Sequence, residues 1–363
     1  MNIELQYPGK RPADEILSEV YPGTLLGKSP LQSSVSRALL FGDNQPILSL
    51  LRTTHRATID LIYIDPPFGT GQSFTNGAQH LAYHDTLVDH DFLEFLRQRL
   101  ILMRELLSPQ GSLYLHIDKK VGHYVKLLLD EIFGRENFLN DITRVKCNPK
   151  NFSRRAYGNS TDMILLYAKD RDQHIWNEQR EPLSEDQIHR LFPKHDPQKG
   201  PYTTHPLHAP GKTQKGDTGQ PWKGLIPPRG RHWRYKRETL DALEDQGLIE
   251  WSPTGNPRKR FFAKDHKGQK LQDFWEYKDK GKTLVSYPTE KNLDMLKRII
   301  LQSSHPESIV LDAFAGSGST LIAAHELGRN FIGIDASSLA KHAIQENFEK
   351  YRIEVATWRY EEK

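Results

Sequence analysis

The sequence predicts an α/β fold with a twisted, mostly parallel sheet and a long inserted region. Short apolar strands alternate with helical stretches over residues 32–140, and another strand–helix–strand unit follows residue 292. Strands that alternate with helices form parallel sheets. Between these parts the alternation is lost over residues 170–284, which are rich in Pro, Gly, His and charged residues. An α/β domain with an insertion is therefore predicted.

Hydrophobic periodicity places the elements of the first part. Short apolar runs predict strands at residues 38–41, 61–64, 112–117 and 163–168. Apolar side chains three or four positions apart predict helices at residues 91–107 and 120–133. Gly111 is expected to mark the stop between the first of these helices and the next strand.

The last part repeats this alternation. A helix from residue 292 leads to a strand at 309–311, a glycine-rich loop, a helix at 319–327 and a strand at 331–334. Within the insertion, a helix is predicted at residues 236–246.

The middle of the chain carries an excess of positive charge. Residues 141–282 contain 28 Lys and Arg against 19 Asp and Glu, a net charge of +9, whereas the rest of the chain carries −5. Aromatic side chains lie among the basic residues at 221–222, 227–235 and 258–262. A basic, aromatic insertion favours contact with nucleic acid, although a solvated basic surface is the alternative.

Composition narrows the class of protein. With Cys147 as the single cysteine, the chain has no intramolecular disulfide and no cysteine-based zinc site, and no metal is expected. Apolar runs of about 18 residues, as a membrane span requires, are absent, and residues 1–10 lack the pattern of a secretory signal. We therefore expect a cytoplasmic protein without a membrane partner.

Two loops at predicted strand ends carry the chemistry. Asp65-Pro66-Pro67-Phe68 follows an apolar strand, at the edge where open α/β sheets bind ligands. Its prolines fix the backbone and provide no amide donors, so that carbonyl groups face a substrate. A proline turn that merely ends the strand is the alternative.

The second loop follows the strand at residues 309–311. It contains Asp312, Phe314, Ala315, Gly316, Ser317 and Gly318, and its glycines allow a tight turn close to a ligand. Asp335 ends the next strand, where a carboxylate can accept hydrogen bonds from ribose hydroxyls. Because the spacing is not Gly-x-Gly-x-x-Gly, a nicotinamide cofactor fits less well.

Together these motifs resemble those of the S-adenosylmethionine-dependent DNA amino-methyltransferases. The order, with the catalytic motif first and the cofactor motif last, is that of their beta class. The resemblance implies a Rossmann-like, circularly permuted methyltransferase domain with S-adenosylmethionine as cofactor. It also implies that the Asp65 carboxylate and the Pro66 carbonyl orient an exocyclic amine, while Phe68 stacks on a base flipped out of the duplex.

The resemblance also suggests which base is methylated. Family members whose motif begins with Asp mostly methylate the N6 amine of adenine, so Asp65 favours adenine over the N4 amine of cytosine. Phe68 replaces the more common Tyr and keeps the stacking face. Methylation of protein glutamine or RNA is a lesser rival, and a non-catalytic specificity subunit of a restriction-modification complex is a rival from a different class of protein.

Further cofactor contacts are implied by resemblance. Asp43 would contact the cofactor adenine, although an Asx-capped turn explains it equally well. Thr289 and Lys291 lie in a segment that is similar to the one covering the methionine end of the cofactor, with Asn292 in place of the usual Pro. His116 and Asp118 allow an acid–base role, but a structural role at a strand end is favoured.

The implied partner is double-stranded DNA. The candidates for DNA contact are the basic residues Arg154, Arg155, Arg229, Arg231, Arg234, Arg258 and Lys259. Trp233 and Trp275 either join these contacts or pack a small core in the insertion. A homodimer or a partner subunit of a restriction system remains open.

The domain boundaries follow from these assignments. We expect an N-terminal arm at 1–31, a catalytic half at 32–169, a target-recognition insertion at 170–284 and a cofactor-binding half at 285–363. Pro8, Pro12 and Pro22 suggest that the arm is irregular.

Overall fold

The computed structural model describes residues 4–67, 73–75, 81–84, 90–149, 153, 155–213, 216–278 and 291–362. The chain divides into two compact units. The first combines Met1–Gln179 with Gln272–Lys363, and the second is Arg180–Leu271.

The first unit is built from alternating strands and helices. Before the second unit, its elements are α1 Ala13–Ser18, β1 Gly23–Gly27, β2 Arg37–Phe41, α2 Asn44–Thr54, β3 Ile59–Ile64, β4 Ser73–Thr75, β5 Leu81–His84, α3 His90–Leu106, β6 Leu107–Ile117, α4 Lys119–Phe133, β7 Phe138–Val145 and β8 Thr161–Ala168.

The second unit contains short strands and two described helices. Its elements are β9 Arg180–Glu181, α5 Glu185–Leu191, β10 Lys194–Asp196, β11 Gly200–Pro206, β12 His208–Pro210, β13 Arg231–Trp233, α6 Arg237–Asp245, β14 Ile249–Trp251, β15 Pro257–Phe262 and β16 Gln269–Lys270. The chain then returns to the first unit with β17 Phe274–Glu276, α7 Leu293–Ser303, β18 Ile309–Asp312, α8 Ser319–Glu326, β19 Asn330–Asp335, α9 Ser338–Tyr351 and β20 Ala356–Glu362.

A single large sheet organises the first unit. Its described strands lie in the order β1-β20-β2-β19-β18-β3-β6-β8-β7-β17. The six strands from β20 to β6 are parallel to one another, whereas β1, β8 and their neighbours include antiparallel pairs. The predicted α/β fold with a mostly parallel sheet is confirmed.

Helices cover both faces of this sheet, because the strands are apolar on both sides. One core cluster joins α2, α3 and α4 to side chains such as Ile62 and Leu115. The other joins α7, α8 and α9 to the alternate side chains, such as Leu61 and Tyr114. Trp275 belongs to this second cluster, so it packs in the first unit and not in the core of the insertion.

The amino-terminal segment differs from the irregular arm that the sequence predicted. It contains α1 and β1, and β1 pairs antiparallel with β20 at the edge of the large sheet. The prolines do not prevent this, since Pro12 is the N-cap of α1 and Pro22 immediately precedes β1. The indole N–H of Trp358 on β20 donates a hydrogen bond to the carbonyl of Ser29, two residues after β1, at 2.7 Å. This bond adds to the pairing of the two strands.

The boundary predicted at Gly111 is also different. Helix α3 ends at Leu106 and β6 begins at the next residue, with Gly111 inside the strand. The pairing of β6 with β3 changes register between Ile59 and Leu61. A Cβ atom on Gly111 would lie 2.8 Å from the Ile59 carbonyl oxygen, so the glycine permits this close backbone approach.

The second unit has its own small core. Strands β10, β11, β15 and β14 form an antiparallel sheet, and β12 pairs with β13. Trp222 and Trp233 are buried with Leu207, Leu240, Leu243 and Ile249. The predicted helix at 236–246 is confirmed as α6, and Trp233 serves the core of this unit.

Gly333 sets the distance between α8 and the sheet. A Cβ atom there would lie 2.4 Å from Leu321 Cδ1 and 3.1 Å from Leu39 Cδ2. We expect Gly333→Ala to lower the free energy of unfolding by roughly 1–3 kcal/mol through overpacking. Leu321→Ala alone should cost roughly 2–5 kcal/mol. Urea unfolding of the double variant should show a loss smaller than the sum; strict additivity would contradict the proposed clash.

Candidate active site

Neighbouring parallel strands bring four carboxylates to one edge of the large sheet. Strands β2, β19, β18 and β3 are adjacent and parallel, and their carboxyl ends meet there. Asp335 and Asp312 end β19 and β18, Asp65 follows β3 directly, and Asp43 is the second residue after β2. Residues far apart in sequence therefore meet because of strand order.

A cavity of about 370 Å³ opens at this edge. Most of the predicted site residues that are described line it: Asp43, Asp65, Pro66, Pro67, Lys291, Asp312, Phe314, Ala315, Gly316, Ser317 and Asp335. Phe68 and Thr289 lie outside the described residues. Gly318 does not line the cavity; it is the N-cap of α8, with a φ of 79° that favours glycine.

Asp335 organises the glycine-rich loop. Its Oδ2 accepts a hydrogen bond from the Gly316 amide at 2.8 Å, and its Oδ1 accepts one from the Ser337 amide at 2.8 Å. Burial raises the pKa of this carboxyl group. The carboxylate thus fixes the loop from the neighbouring strand, and its predicted contact with ribose stays a prediction.

Asp312 is the most deeply buried carboxyl group at this edge, with 3% of its surface exposed. Its Oδ1 accepts a hydrogen bond from the Phe314 amide at 3.0 Å. Burial raises the pKa of Asp312 to about 7, and the charges of Asp65 and Asp335 add to this effect. A ligand with a positive charge in the cavity would favour the ionised form.

The opposite wall comes from α3 and was not predicted. Arg99 is buried, and its Nη2 donates a hydrogen bond to Asp43 Oδ1 at 2.8 Å. Its guanidinium lies over the Phe95 ring, 3.6 Å from the centroid. Asp43 also accepts a hydrogen bond from the Gln45 amide and caps α2. Asp43 is thus a helix cap that also lines the cavity, and its predicted contact with the cofactor adenine stays a prediction.

Sequence reasoning missed Phe95 and Arg99 because the helix at 91–107 was assigned only by its apolar periodicity. The available signal was an arginine four residues after an aromatic side chain, among apolar neighbours. Asn44 was missed as well; its amide donates to the Ala313 carbonyl at 2.8 Å and joins α2 to the glycine-rich loop.

The Asp65 carboxylate has two different surroundings. Its Oδ2 forms an ion pair with Lys291 Nζ at 2.6 Å. Its Oδ1 is buried and has no hydrogen-bond partner within the part of the chain that the structure describes. Lys291 thus contacts the carboxylate of the catalytic motif, and its predicted cofactor contact stays a prediction.

His116 and Asp118 lie at the end of β6, next to this site. Asp118 is the N-cap of α4 and accepts a hydrogen bond from the Lys120 amide at 2.9 Å, which confirms its structural role. His116 is fully buried between Tyr63 and Asp162.

The predicted DNA-contacting residues fall into two groups. Arg155, Arg229, Arg231 and Arg234 are exposed, the first of them in the first unit and the others in the second. Arg258 is half-buried and donates to the Thr204 hydroxyl and carbonyl, while Lys259 donates to the Tyr235 hydroxyl. Arg154 lies outside the described residues, and the whole set stays a prediction.

Within the described ranges, no three His, Cys, Asp or Glu side chains are grouped as ligands of a metal ion would be. Of the described helices, none combines the length and apolar character needed to cross a bilayer.

Comparisons with known proteins place the chain among DNA-modifying enzymes. A family profile described as DNA methylase, N6_N4_Mtase, matches residues 59–346. The chain is 41% identical over 354 residues to the type II methyltransferase M.EcaI of Enterobacter cloacae, covering 95% of this chain and 77% of that protein. It is 26% identical over 358 residues to the type III restriction-modification enzyme StyLTI Mod subunit of Salmonella typhimurium, covering 88% of this chain and 54% of that protein.

The crystal structure of the M1.HpyAVI–SAM complex gives a TM-score of 0.45 at 18% identity, covering 85% of this chain and 99% of that chain.

Asp312 should make stability depend on pH. Because its folded-state pKa is about 7 against an ordinary 3.8, its contribution is fully present below pH 4 and is lost as the pH rises through 7. Asp312→Asn should therefore stabilise the ligand-free protein at pH 8 by up to roughly 4 kcal/mol, and progressively less toward pH 4. Chemical unfolding from pH 5 to 8 measures this difference.

The matched control is Asp141→Asn, which neutralises an exposed carboxylate on β7. If the difference in the free energy of unfolding between wild type and Asp312→Asn did not change with pH, the raised pKa of Asp312 would be contradicted.

Proposed function

Because this DNA methyltransferase belongs to the N6/N4 methylase family, we propose that its methyl acceptor is the N6 amine of adenine in double-stranded DNA, and its methyl donor S-adenosylmethionine. The observation that supports this proposal is the placement of Asp65 and Pro66 in the same cavity as the glycine-rich loop. The same pocket thus holds Asp65 and Pro66, which can accept hydrogen bonds from an amine, and the glycine-rich loop, which is suited to bind a cofactor.

The cavity fits the cofactor by its charge and by its lining. S-adenosylmethionine supplies, when bound, an electrophilic methyl group on a positively charged sulfur. The carboxylates Asp65, Asp312 and Asp335 stabilise a cation at this edge. The glycine-rich loop, Asp335, Asp43 and the Phe95 face would hold it, with Asp335 as the partner of the ribose that the sequence predicts.

The residues of the first motif then orient the amine. An exocyclic amine is a weak nucleophile because its lone pair is delocalised into the ring. The Asp65 carboxylate and the Pro66 carbonyl accept its N–H groups and direct the lone pair toward the methyl group. Asp65 would also accept the proton that the nitrogen gives up when it takes the methyl group from the bound cofactor.

Lys291 does not block this role. A carboxylate offers about four lone-pair positions, so Oδ2 can pair with Lys291 while the carboxylate accepts an amine hydrogen. Phe68 stacks on the base after it leaves the duplex, as the sequence predicts.

The second unit provides the DNA contacts in this proposal. Its exposed Arg229, Arg231 and Arg234 neutralise phosphates or read base edges, and the insertion recognises the target sequence. The names of the relatives include both type II methyltransferases and type III Mod subunits. We therefore place the chain in a restriction-modification system, either as a homodimer or with a partner subunit.

N4 methylation of cytosine is the alternative that uses the same motif. Adenine is favoured because the motif begins with Asp65, as in the adenine-methylating members that the sequence resembles. Methyl transfer from labelled S-adenosylmethionine to unmodified genomic DNA, followed by nucleoside digestion and mass spectrometry, tests this choice. N6-methyladenine is expected; N4-methylcytosine would overturn the base assignment, and label in neither nucleoside would overturn the proposed function.

Asp65→Ala should reduce this methyl transfer at least about 100-fold, because the amine loses its charged acceptor. DNA affinity should stay near the wild-type value, since phosphate contacts lie elsewhere. The matched control is Asp60→Asn, which alters a carboxylate on the same strand that accepts from Ser108 and does not line the cavity. Full activity of Asp65→Ala would refute the mechanism.

Arg231→Ala should weaken DNA binding and reduce the slope of log affinity against log salt concentration by about one, the loss of one phosphate contact. Fluorescence anisotropy with a labelled duplex at several salt concentrations measures both. Arg359→Ala, an exposed arginine on β20 of the first unit, is the control. An unchanged slope in Arg231→Ala would remove this residue from the interface.

A further inference from the structure

A buried chain of polar side chains lies behind Asp65. The Tyr63 hydroxyl is 2.9 Å from His116 Nδ1, and His116 Nε2 is 2.8 Å from Asp162 Oδ2. These residues come from the adjacent strands β3, β6 and β8 and are at most 3% exposed. Buried polar groups are costly unless they are hydrogen-bonded, and these three are bonded to one another.

Asp162 is the ionised end of this chain. Burial opposes its charge, but the hydrogen bond with His116 and the charges of Lys146 and Arg144 lower its pKa to about 2. Arg144 Nη1 lies 3.2 Å from Oδ2, and Lys146 Nζ lies 3.4 Å from Oδ1. An ionised carboxylate only accepts, so the proton between the two side chains belongs to His116 Nε2.

His116 is therefore held as one tautomer. Burial and the charge of Lys291 lower its pKa, against the opposing effects of Asp162 and Asp65, which keeps the ring neutral near pH 7. With a proton on Nε2, Nδ1 has a lone pair and accepts a hydrogen bond from the Tyr63 hydroxyl.

The Nδ1 atom that carries this lone pair lies close to the Asp65 carboxylate. His116 Nδ1 lies 4.0 Å from Asp65 Oδ1, the buried oxygen that has no hydrogen-bond partner among the described residues. A protonated Nδ1 at this distance would donate to Oδ1 after a small shift. It would then compete with the substrate amine for the carboxylate.

We propose that His116 and Asp162 are a positioning pair that keeps Asp65 available as an acceptor for the substrate amine. The proposal rests on the proposed function of Asp65. Asp162 fixes the proton on Nε2, the Tyr63 hydroxyl occupies Nδ1, and the carboxylate consequently keeps its acceptor capacity for DNA. At low pH, protonation of His116 places a proton on Nδ1 as well. The ring then donates to Asp65 and competes with the substrate amine for the carboxylate.

The charged and titratable groups that face His116 come from every strand packed beside it and from the segment before α7. They are Tyr63, Asp65, Arg144, Lys146, Asp162 and Lys291, with Asp118 3.7 Å from Lys146. Asp162 is the group among them that bonds directly to Nε2.

The tautomer can be measured without turnover. Protein labelled with ¹⁵N-histidine is compared with His116→Gln, and the difference spectrum reports the two ring nitrogens of His116. A neutral ring with the proton on Nε2 is expected at pH 7.5. A proton on Nδ1, or on both nitrogens, would overturn the proposal.

The functional test is the pH profile of the methyl-transfer rate in a single turnover. His116→Gln keeps an amide near Asp162 but has no ring nitrogen toward Asp65. The acid-side inflection caused by His116 should disappear. A rate loss with an unchanged inflection would assign His116 a merely structural role.

Two tyrosine variants complete the test. Tyr63→Phe removes the donor to Nδ1, so the acid-side inflection should move to higher pH; an unmoved inflection would count against the proposal. The control is Tyr114→Phe. Tyr114 lies on the same strand as His116, and the variant removes its buried hydrogen bond to Ser303, so the pH profile should stay unchanged. These variants test the proposal even where His116→Gln does not fold.

Failure of the proposed function and failure of the positioning pair give different experimental results. Absence of methyl transfer from the wild type, or full activity of Asp65→Ala, would refute the role of Asp65 whatever the tautomer of His116. An inactive Asp65→Ala together with the wrong tautomer would refute only the positioning pair.

Discussion

The parallel pairing of β18 with β3 is the interaction on which the site depends. It joins Val310 to Leu61 and Leu311 to Ile62, and thereby places the loop after each strand at one edge. The order of the two motifs along the chain has no effect on this meeting, because strand position alone decides it. A permuted sequence therefore produces the same juxtaposition of the loop after β3 and the glycine-rich loop after β18.

That edge concentrates negative charge, and each carboxylate is accommodated differently. Asp335 accepts two backbone amides, Asp43 pairs with Arg99, and Asp65 pairs with Lys291. Asp312 is the most deeply buried of the four, and burial raises its pKa to about 7. The fold tolerates an arrangement that opposes its own stability, as proteins commonly do at functional sites.

Sequence reasoning recovered the parts that depend on local pattern. Apolar runs gave the strands, and the motifs at their ends gave Asp65, Asp312 and Asp335. Contacts between distant segments could not be predicted in this way: Phe95 and Arg99 on α3, the ion pair of Lys291 with Asp65, and the pairing of β1 with β20. Each depends on which elements become neighbours, and periodicity carries no information about that.

The position of the second unit in the chain has a consequence for how such enzymes diversify. It is inserted between β8 and β17, which lie beyond β6 in the order of the sheet, while the strands ending at the cavity are β2, β19, β18 and β3. Recombination or rapid substitution within Arg180–Leu271 leaves those four strands untouched. With target recognition assigned to this segment, as proposed above, new sequence preferences can evolve by exchange of one segment, with the transfer chemistry inherited intact.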